Sequence, residues 1–334
     1  MLDVLQVDPH DEVGLRAWWD TNHAAILADR PEAALLTWPE LRHLVAGGST
    51  YYSWQLLVAR EQGRCVGTAI VGLAHRDNTH LADLEVAVLP ASRRRGIGTA
   101  LAEEGLRRVL DAGRTTVIGE AYLTAASEAP VAFARSLGFE PVHEELHLLM
   151  PLPVPADELA ELRAQVGALA GDYDVLTWVD RCPEEYVDAY CRMRTQMSAD
   201  VPVGDLDLTP VAYDEERLRA DEALDLPVSD QVVAVARHRE TGAFGGYSVV
   251  KLAHGDDLVR QDDTLVMPRH RGRRLGLRLK LATLEEVQRR FPERATLHTW
   301  TAPDNRAMLR TNITFGFEQV AQMFEMQRRL GPTG

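Results

Sequence analysis

Apolar and polar positions along the 334-residue chain fall into helix-like and strand-like periods, and they predict one run of elements twice. From Val13 to Ala28 apolar residues recur at helical spacing, preceded by Asp11 and Glu12, which suit a helix first turn. Trp18 and Trp19 are adjacent, so one faces the core and the other packs half-buried or lines a cleft. Glu40 to Ala46 reads as a short helix ended by Gly47-Gly48. Two apolar runs, Trp54–Arg60 and Cys65–Ala74, flank Glu61-Gln62-Gly63-Arg64 and predict a hairpin. Leu81 to Leu89 alternates as a strand, with Glu85, Ala87 and Leu89 on one face and Leu84, Val86 and Val88 on the other. A helix over Thr99–Ala112, a strand over Thr115–Ala121, a helix from Glu128 and a strand over Pro141–Met150 complete the first set.

Pro151-Leu152-Pro153-Val154-Pro155 is a stiff joint, followed by a helical segment, Ala156 to Leu169. The second set starts near Asp174. It has a helix over Pro183–Met197, a hairpin of Gln231–Arg237 with Gly245–Leu252, a strand ending at Pro268, a strand over Ala295–Thr301, and a helix from Asp304-Asn305. The acidic stretch Val201–Leu226 is longer than its counterpart, and reads as a substrate wall or a surface loop.

The sets match residue by residue. Pro90 pairs with Pro268, Arg93 with Arg271, Gly98 with Gly276, Glu85 with Asp263 and Gly138 with Gly316, all at an offset of 178. A duplicated domain accounts for this. In each copy an apolar strand passes through an arginine- and glycine-bearing turn into a helix. That layout reads as a sterically required turn or, more readily once it is repeated, as an anion-binding device: glycines admit a phosphate, free amides of the first helical turn point at it, and arginines add fork-shaped donors.

Strand, Arg93-Arg94-Arg95-Gly96-Ile97-Gly98, amphipathic helix, strand, helix and Leu137-Gly138-Phe139 together resemble the GNAT N-acetyltransferases, whose loop reads Gln/Arg-x-x-Gly-x-Gly/Ala. Arg271-Gly272-Arg273-Arg274-Leu275-Gly276 resembles it with Arg274 at the middle glycine. The resemblance spans nearly the whole chain as two tandem copies, similar to actinobacterial tandem proteins of the mycothiol synthase type. It implies an α+β fold of two GNAT-like domains, each a mixed, mostly antiparallel sheet flanked by helices. The expected division is an N-terminal domain over 1–150, a linker with a helix over 151–171 and a C-terminal domain over 172–334.

The resemblance further implies acetyl-CoA as co-substrate. It would insert between splayed strands against Val86 and Val88, and in the second copy Val266. Its diphosphate would lie on Arg93, Arg94, Arg95, Gly96, Ile97, Gly98 and Thr99, and on Arg271, Gly272, Arg273, Arg274, Leu275 and Gly276. Asn305 would either cap its helix or approach the pantetheine arm. Glu85, a carboxylate in an apolar strand, reads as a general base or as a strand-edge residue reaching solvent; Asp263 takes its place in the second copy. Asp262 and Asp263 alternate to opposite faces, so one of them serves a given cleft. The family's tyrosine acid is replaced by Ala134 and Asn312.

Composition narrows this picture. A formal net charge of −14 argues against nucleic acid or an acidic membrane as partner, since phosphate backbones demand excess Lys and Arg. Acidity mildly favours a cationic or amine substrate, but solubility is the more ordinary reason for it. Cys65, Cys182 and Cys191 lack metal-type spacing, and an odd, small number fits a reducing cytoplasm. No apolar run reaches membrane-spanning length and no export signal is apparent. His143 and His147 lie in an expected strand without further ligands, so no metal is expected. The expected activity is acetyl transfer to a primary amine of a small molecule or peptide by direct attack. The alternatives are an acyl-CoA sensor with one or both copies inactive, and a protein lysine acetyltransferase. Monomer and homodimer both remain open.

Overall fold

The computed structural model describes residues 2–47, 49–124, 127–166 and 171–331. It divides into two compact units, one of Met1–Glu145, Val203–Thr209 and Val320–Gly334, the other of Leu146–Pro202 and Pro210–Gln319. The contiguous division expected at 150 is therefore replaced by an exchange of terminal strands: the chain's last strand serves the first unit, and Leu146–Pro151 serves the second. Strand pairing is a long-range choice that local periodicity does not record.

In the first unit β1 (Leu2–Gln6), β2 (Tyr52–Glu61), β3 (Arg64–Ala74), β4 (Leu81–Val88) and β5 (Thr116–Leu123) are neighbours in that order, and β12 (Glu318–Arg329) follows β5. All pairings are antiparallel except β4 with β5. β1 falls on residues to which the hydrophobic pattern assigns no element. The β2–β3 hairpin turns on Gln62 and Gly63, both with positive φ, as a tight two-residue turn requires. Helices α1 (Glu12–Leu27) and α2 (Trp38–Val45) cover one face, and α3 (Ile97–Asp111) the other. Thr37 and Glu40 form a reciprocal capping box, which starts α2 two residues before the expected Glu40. Trp18 is buried and donates to the Leu57 carbonyl at 2.9 Å, while Trp19 is half-buried and donates to Leu36.

The second unit repeats the plan. Its order is β7 (Tyr173–Val179), β8 (Ser229–His238), β9 (Phe244–Ala253), β10 (Leu258–Val266), β11 (Thr296–Thr301), then the Leu146–Pro151 end of β6 (Glu140–Pro151). Only β10 and β11 run parallel. Around this sheet lie α5 (Ala156–Val166), α6 (Val187–Asp200), α7 (Glu215–Asp225), α8 (Leu275–Arg290) and α9 (Arg306–Phe315). Residues 167–169 of the expected linker helix lie outside the described residues, as does Gly48. The long acidic stretch splits: Val203–Thr209 joins the first unit, where the Asp207 amide donates to Gln327, and α7 belongs to the second. No described helix is long and apolar enough to cross a membrane.

Candidate active site

The first unit opens where two strands part. β4 and β5 pair through Leu81↔Thr116, Ala82↔Val117 and Asp83↔Ile118, and then diverge. Gly119 marks the fork: a Cβ there would collide with the Leu84 carbonyl oxygen, so only glycine tolerates this approach. Beyond it the β5-facing edge of Leu84–Val88 has no strand partner among the described residues. The gap continues into a cavity of about 550 Å³, lined by β4, β5, the end of α1, the start of α3 and α4 (Ala129–Ser136).

The loop residues divide by role. Gly96 is the α3 N-cap in a left-handed conformation (φ 80°), and no side chain caps the helix. The first intrahelical bond runs from the Ala100 amide to Gly96, which leaves the amides of the first turn for an anion. Gly96, Ile97, Gly98 and Thr99 all line the cavity. The Ile97 side chain is buried in the core, so only its backbone faces that way. A Cβ on Gly98 would come within 3.1 Å of the Phe133 ring.

The three arginines differ. Arg93 is a clamp: it donates to Val88 and Ala25 carbonyls and pairs with Asp29 at 2.8 Å. Arg95 turns away to Glu61, also at 2.8 Å, and lies outside the cavity lining. Arg94 lines the cavity, exposed and without a partner among the described residues, and is the arginine available to a phosphate.

At the other end of the cavity sits Glu85. It accepts no hydrogen bond and forms no ion pair among the described residues. Its side chain is exposed at the cavity wall yet widely surrounded by protein. Burial foremost, then Glu120 and Asp83, raise its carboxyl to about 7, against the pull of Arg30. Its neighbours are acidic too. Asp83, raised to about 6 chiefly by burial and further by Glu120, accepts the Tyr52 hydroxyl proton. Glu120 accepts from Tyr122 at 2.8 Å, and the Arg30 guanidinium stacks 3.4 Å over the Tyr122 ring. Sequence reasoning missed Glu120, Tyr122 and Arg30, all of which line the cavity. Their trace is slight: Glu120 and Tyr122 alternate on β5, which reads equally as a solvated strand face, and Arg30 lies in the turn after α1.

The second loop has the same backbone with its glycine moved. Arg94 (φ 61°) and Gly96 (φ 80°) are matched by Gly272 (φ 79°) and Arg274 (φ 55°), so both copies place left-handed residues at the same two positions. Arg274 therefore replaces glycine without changing the turn. Arg271 repeats the Arg93 clamp, bonding the Val266 carbonyl and Asp200. Arg273 donates to the Tyr173 hydroxyl at 2.7 Å, and Arg274 to the Gln165 carbonyl. Leu275 is buried, Gly276 lies 3.7 Å by its would-be Cβ from Val266, and Asn305 caps α9 by accepting from the Met308 amide.

The rest of the second cleft is built differently. Ala102 and Ala134 line the first cavity; at the same offset stand Lys280 and Asn312. Both are buried, joined at 2.8 Å, and Asn312 donates to buried Thr301 at 2.7 Å. This polar plug occupies the positions that the first copy keeps small. Asp263 is also engaged, accepting from Tyr247 at 2.7 Å with Arg194 at 3.7 Å. Asp262 lies 3.7 Å from Lys251. The expected strict alternation of Asp262 and Asp263 is broken by a register shift between Gln261 and Thr264. His147 bonds His298 at 2.9 Å and stacks on Trp300. Among the described residues no cluster of three His, Cys, Asp or Glu is placed to hold a metal.

A forked sheet with an uncapped helix at its mouth, present twice, defines a class. Residues 52–141 match the family described as the acetyltransferase (GNAT) domain. Over 100% of both chains the fold is similar to a tandem GNAT protein from the clavulanic acid biosynthesis pathway, at 24% identity and a TM-score of 0.80. It is similar to a GCN5-related N-acetyltransferase from Sphaerobacter thermophilus at 14% identity and a TM-score of 0.69, over 100% of this chain and 97% of that one. Saccharomyces cerevisiae N-myristoyltransferase shares the fold at 11% identity and a TM-score of 0.60, over 98% and 80%. No curated protein sequence matches the chain. Residues 52–141 thus match a GNAT acetyltransferase domain, and the chain as a whole has the fold of a tandem GNAT protein.

Proposed function

We propose that the first unit is an acetyl-CoA-dependent N-acetyltransferase, acting on a primary amine of a small molecule or peptide by direct attack. The observation that carries this reading is the cavity, which joins the uncapped α3 amides to an unpartnered carboxylate. Acetyl-CoA supplies an activated thioester when bound. The amides of Ile97, Gly98 and Thr99, with Arg94, hold its diphosphate, and the unpaired edge at Val86 and Val88 orients its arm. Glu85 takes the proton of the attacking amine as its nitrogen bonds to the acetyl carbon; the carbon–sulfur bond breaks, and the departing CoA thiolate is protonated by water, Ala134 standing where an acid would be. Held at about 7, it exists in both protonation states near neutral pH, as a group that must accept a proton and shed it again requires.

The second unit, with its arginines engaged and Lys280–Asn312 in the cleft, serves as a scaffold rather than a second site. The reaction is assigned to the cytoplasm, in keeping with three free cysteines. The test is an amine panel monitored by thiol release, with acetylated product identified by mass. CoA binding without turnover on any amine favours the sensor reading. Acetylated lysines on proteins but no acetylated small amine favours the protein-modifying one.

A further inference from the structure

The first unit gathers more carboxyl groups around Glu85 than proton abstraction needs. Asp83 and Glu85 lie two apart on β4, on one face. Glu120 on β5 stands directly opposite Glu325 on β12, where paired like charges oppose folding. Glu145 and Glu325 are pushed up to about 7 and about 8, burial first and Glu120 next. No lysine or arginine forms an ion pair with Glu85, Glu120 or Glu325 among the described residues. Arg30, the cation beside Glu85, is committed to the Tyr122 ring. These carboxylates do not converge as a metal cage. Two of them line the same cavity as the loop, and one, Glu85, is without a partner and aimed into it.

Resting on the transferase reading above, we propose that the acceptor is a small dication: a primary amine with a second ammonium group a few carbons away. The acceptor nitrogen approaches Glu85, and the second charge lies against Glu120, whose cross-strand partner Glu325 adds to the negative field there. Adjacent strands lie about 4.8 Å apart in a paired sheet, and β4 and β5 splay beyond that, so one nitrogen does not neutralise both groups. A monoamine leaves Glu120 facing Glu325 uncompensated. An amine with a carboxylate tail meets repulsion at the same wall.

The test is calorimetric titration of the full chain, with and without saturating CoA, using 1,4-diaminobutane, n-butylamine and 4-aminobutanoate. The diamine is expected to bind at least tenfold more tightly than butylamine, with the amino acid not detected. Glu120→Gln and Glu325→Gln should bring the diamine-to-monoamine ratio close to one, while Glu103→Gln on the exposed face of α3 leaves it unchanged. The ratio is measured on the native chain, so the inference stands or falls whether or not the variants fold. Equal affinity for diamine and monoamine overturns the inference, as does a loss in Glu103→Gln equal to that in the site variants. Acetylation of butylamine with no preference for the diamine removes the inference and leaves the transferase standing. Selective diamine binding without acetyl transfer on any amine keeps the dication site and removes the transferase.

Discussion

Replacing Lys280 with methionine should make the protein more stable at neutral pH and less stable in alkali. Lys280 is fully buried on α8, and burial lowers its ammonium from 10.5 to about 7. At roughly 1.4 kcal/mol per tenfold change in proton affinity, that shift corresponds to a cost on the order of 5 kcal/mol below pH 7. Methionine removes the cost but strands the Asn312 side-chain oxygen, which lysine now satisfies at 2.8 Å. An orphaned buried acceptor costs about 1–3 kcal/mol, leaving a net gain of about 2–4 kcal/mol at pH 7. The sign reverses with pH. Between 7 and 10.5 the unfolded lysine holds a proton that the folded one has released, so native stability rises across that window. By pH 10.5 little of the cost remains, and Lys280→Met should be the less stable chain by the worth of the lost hydrogen bond. Urea denaturation of both chains at pH 7 and pH 10, with each transition fitted separately, reads this directly. A stability difference independent of pH would refute the idea that the plug holds a neutral amine.

Glu85→Gln should lower kcat by 10²–10⁴-fold, the usual worth of a positioned base, with CoA affinity unchanged. In the native chain kcat/KM should climb as pH rises through about 7, because the base must be ionised to act. A profile flat from pH 6 to 8 speaks against that role. Arg94→Ala should weaken CoA binding by about ten- to a hundredfold, the worth of one charge-assisted contact, and more so at low salt. Arg95→Ala, which loses only the Glu61 pair, should leave it within about twofold, as exposed pairs are worth little.

The duplicated strand–turn–helix with its loop, and the place of Glu85 in it, are legible in the sequence because each copy is built of local features: a strand, a turn, a helix start and one charge in an apolar run. The Lys280–Asn312 plug is also in the sequence, at the offset of 178 from Ala102 and Ala134, but its meaning needs both helices in place. The strand exchange leaves no local signal: Pro141–Met150 reads as the strand that completes the first set, and the hydrophobic pattern assigns no element to Glu318–Arg329. Glu325 sits between Phe324 and Met326, and alternation alone does not say whether its face meets solvent or a cavity. The arginine run reads as uniform, yet Arg93, Arg94 and Arg95 separate into a clamp, a free donor and a surface pair once the backbone turns at Arg94.

If one forked sheet and not both takes the thioester carrier, the stoichiometry of binding shows it. Isothermal titration of the purified chain with acetyl-CoA should give one molecule per chain. Gly98→Glu should bind none, because its side chain would meet Phe133 and bring negative charge to the α3 amides. Two molecules per chain, or full binding by a folded Gly98→Glu protein, would contradict the single-site assignment.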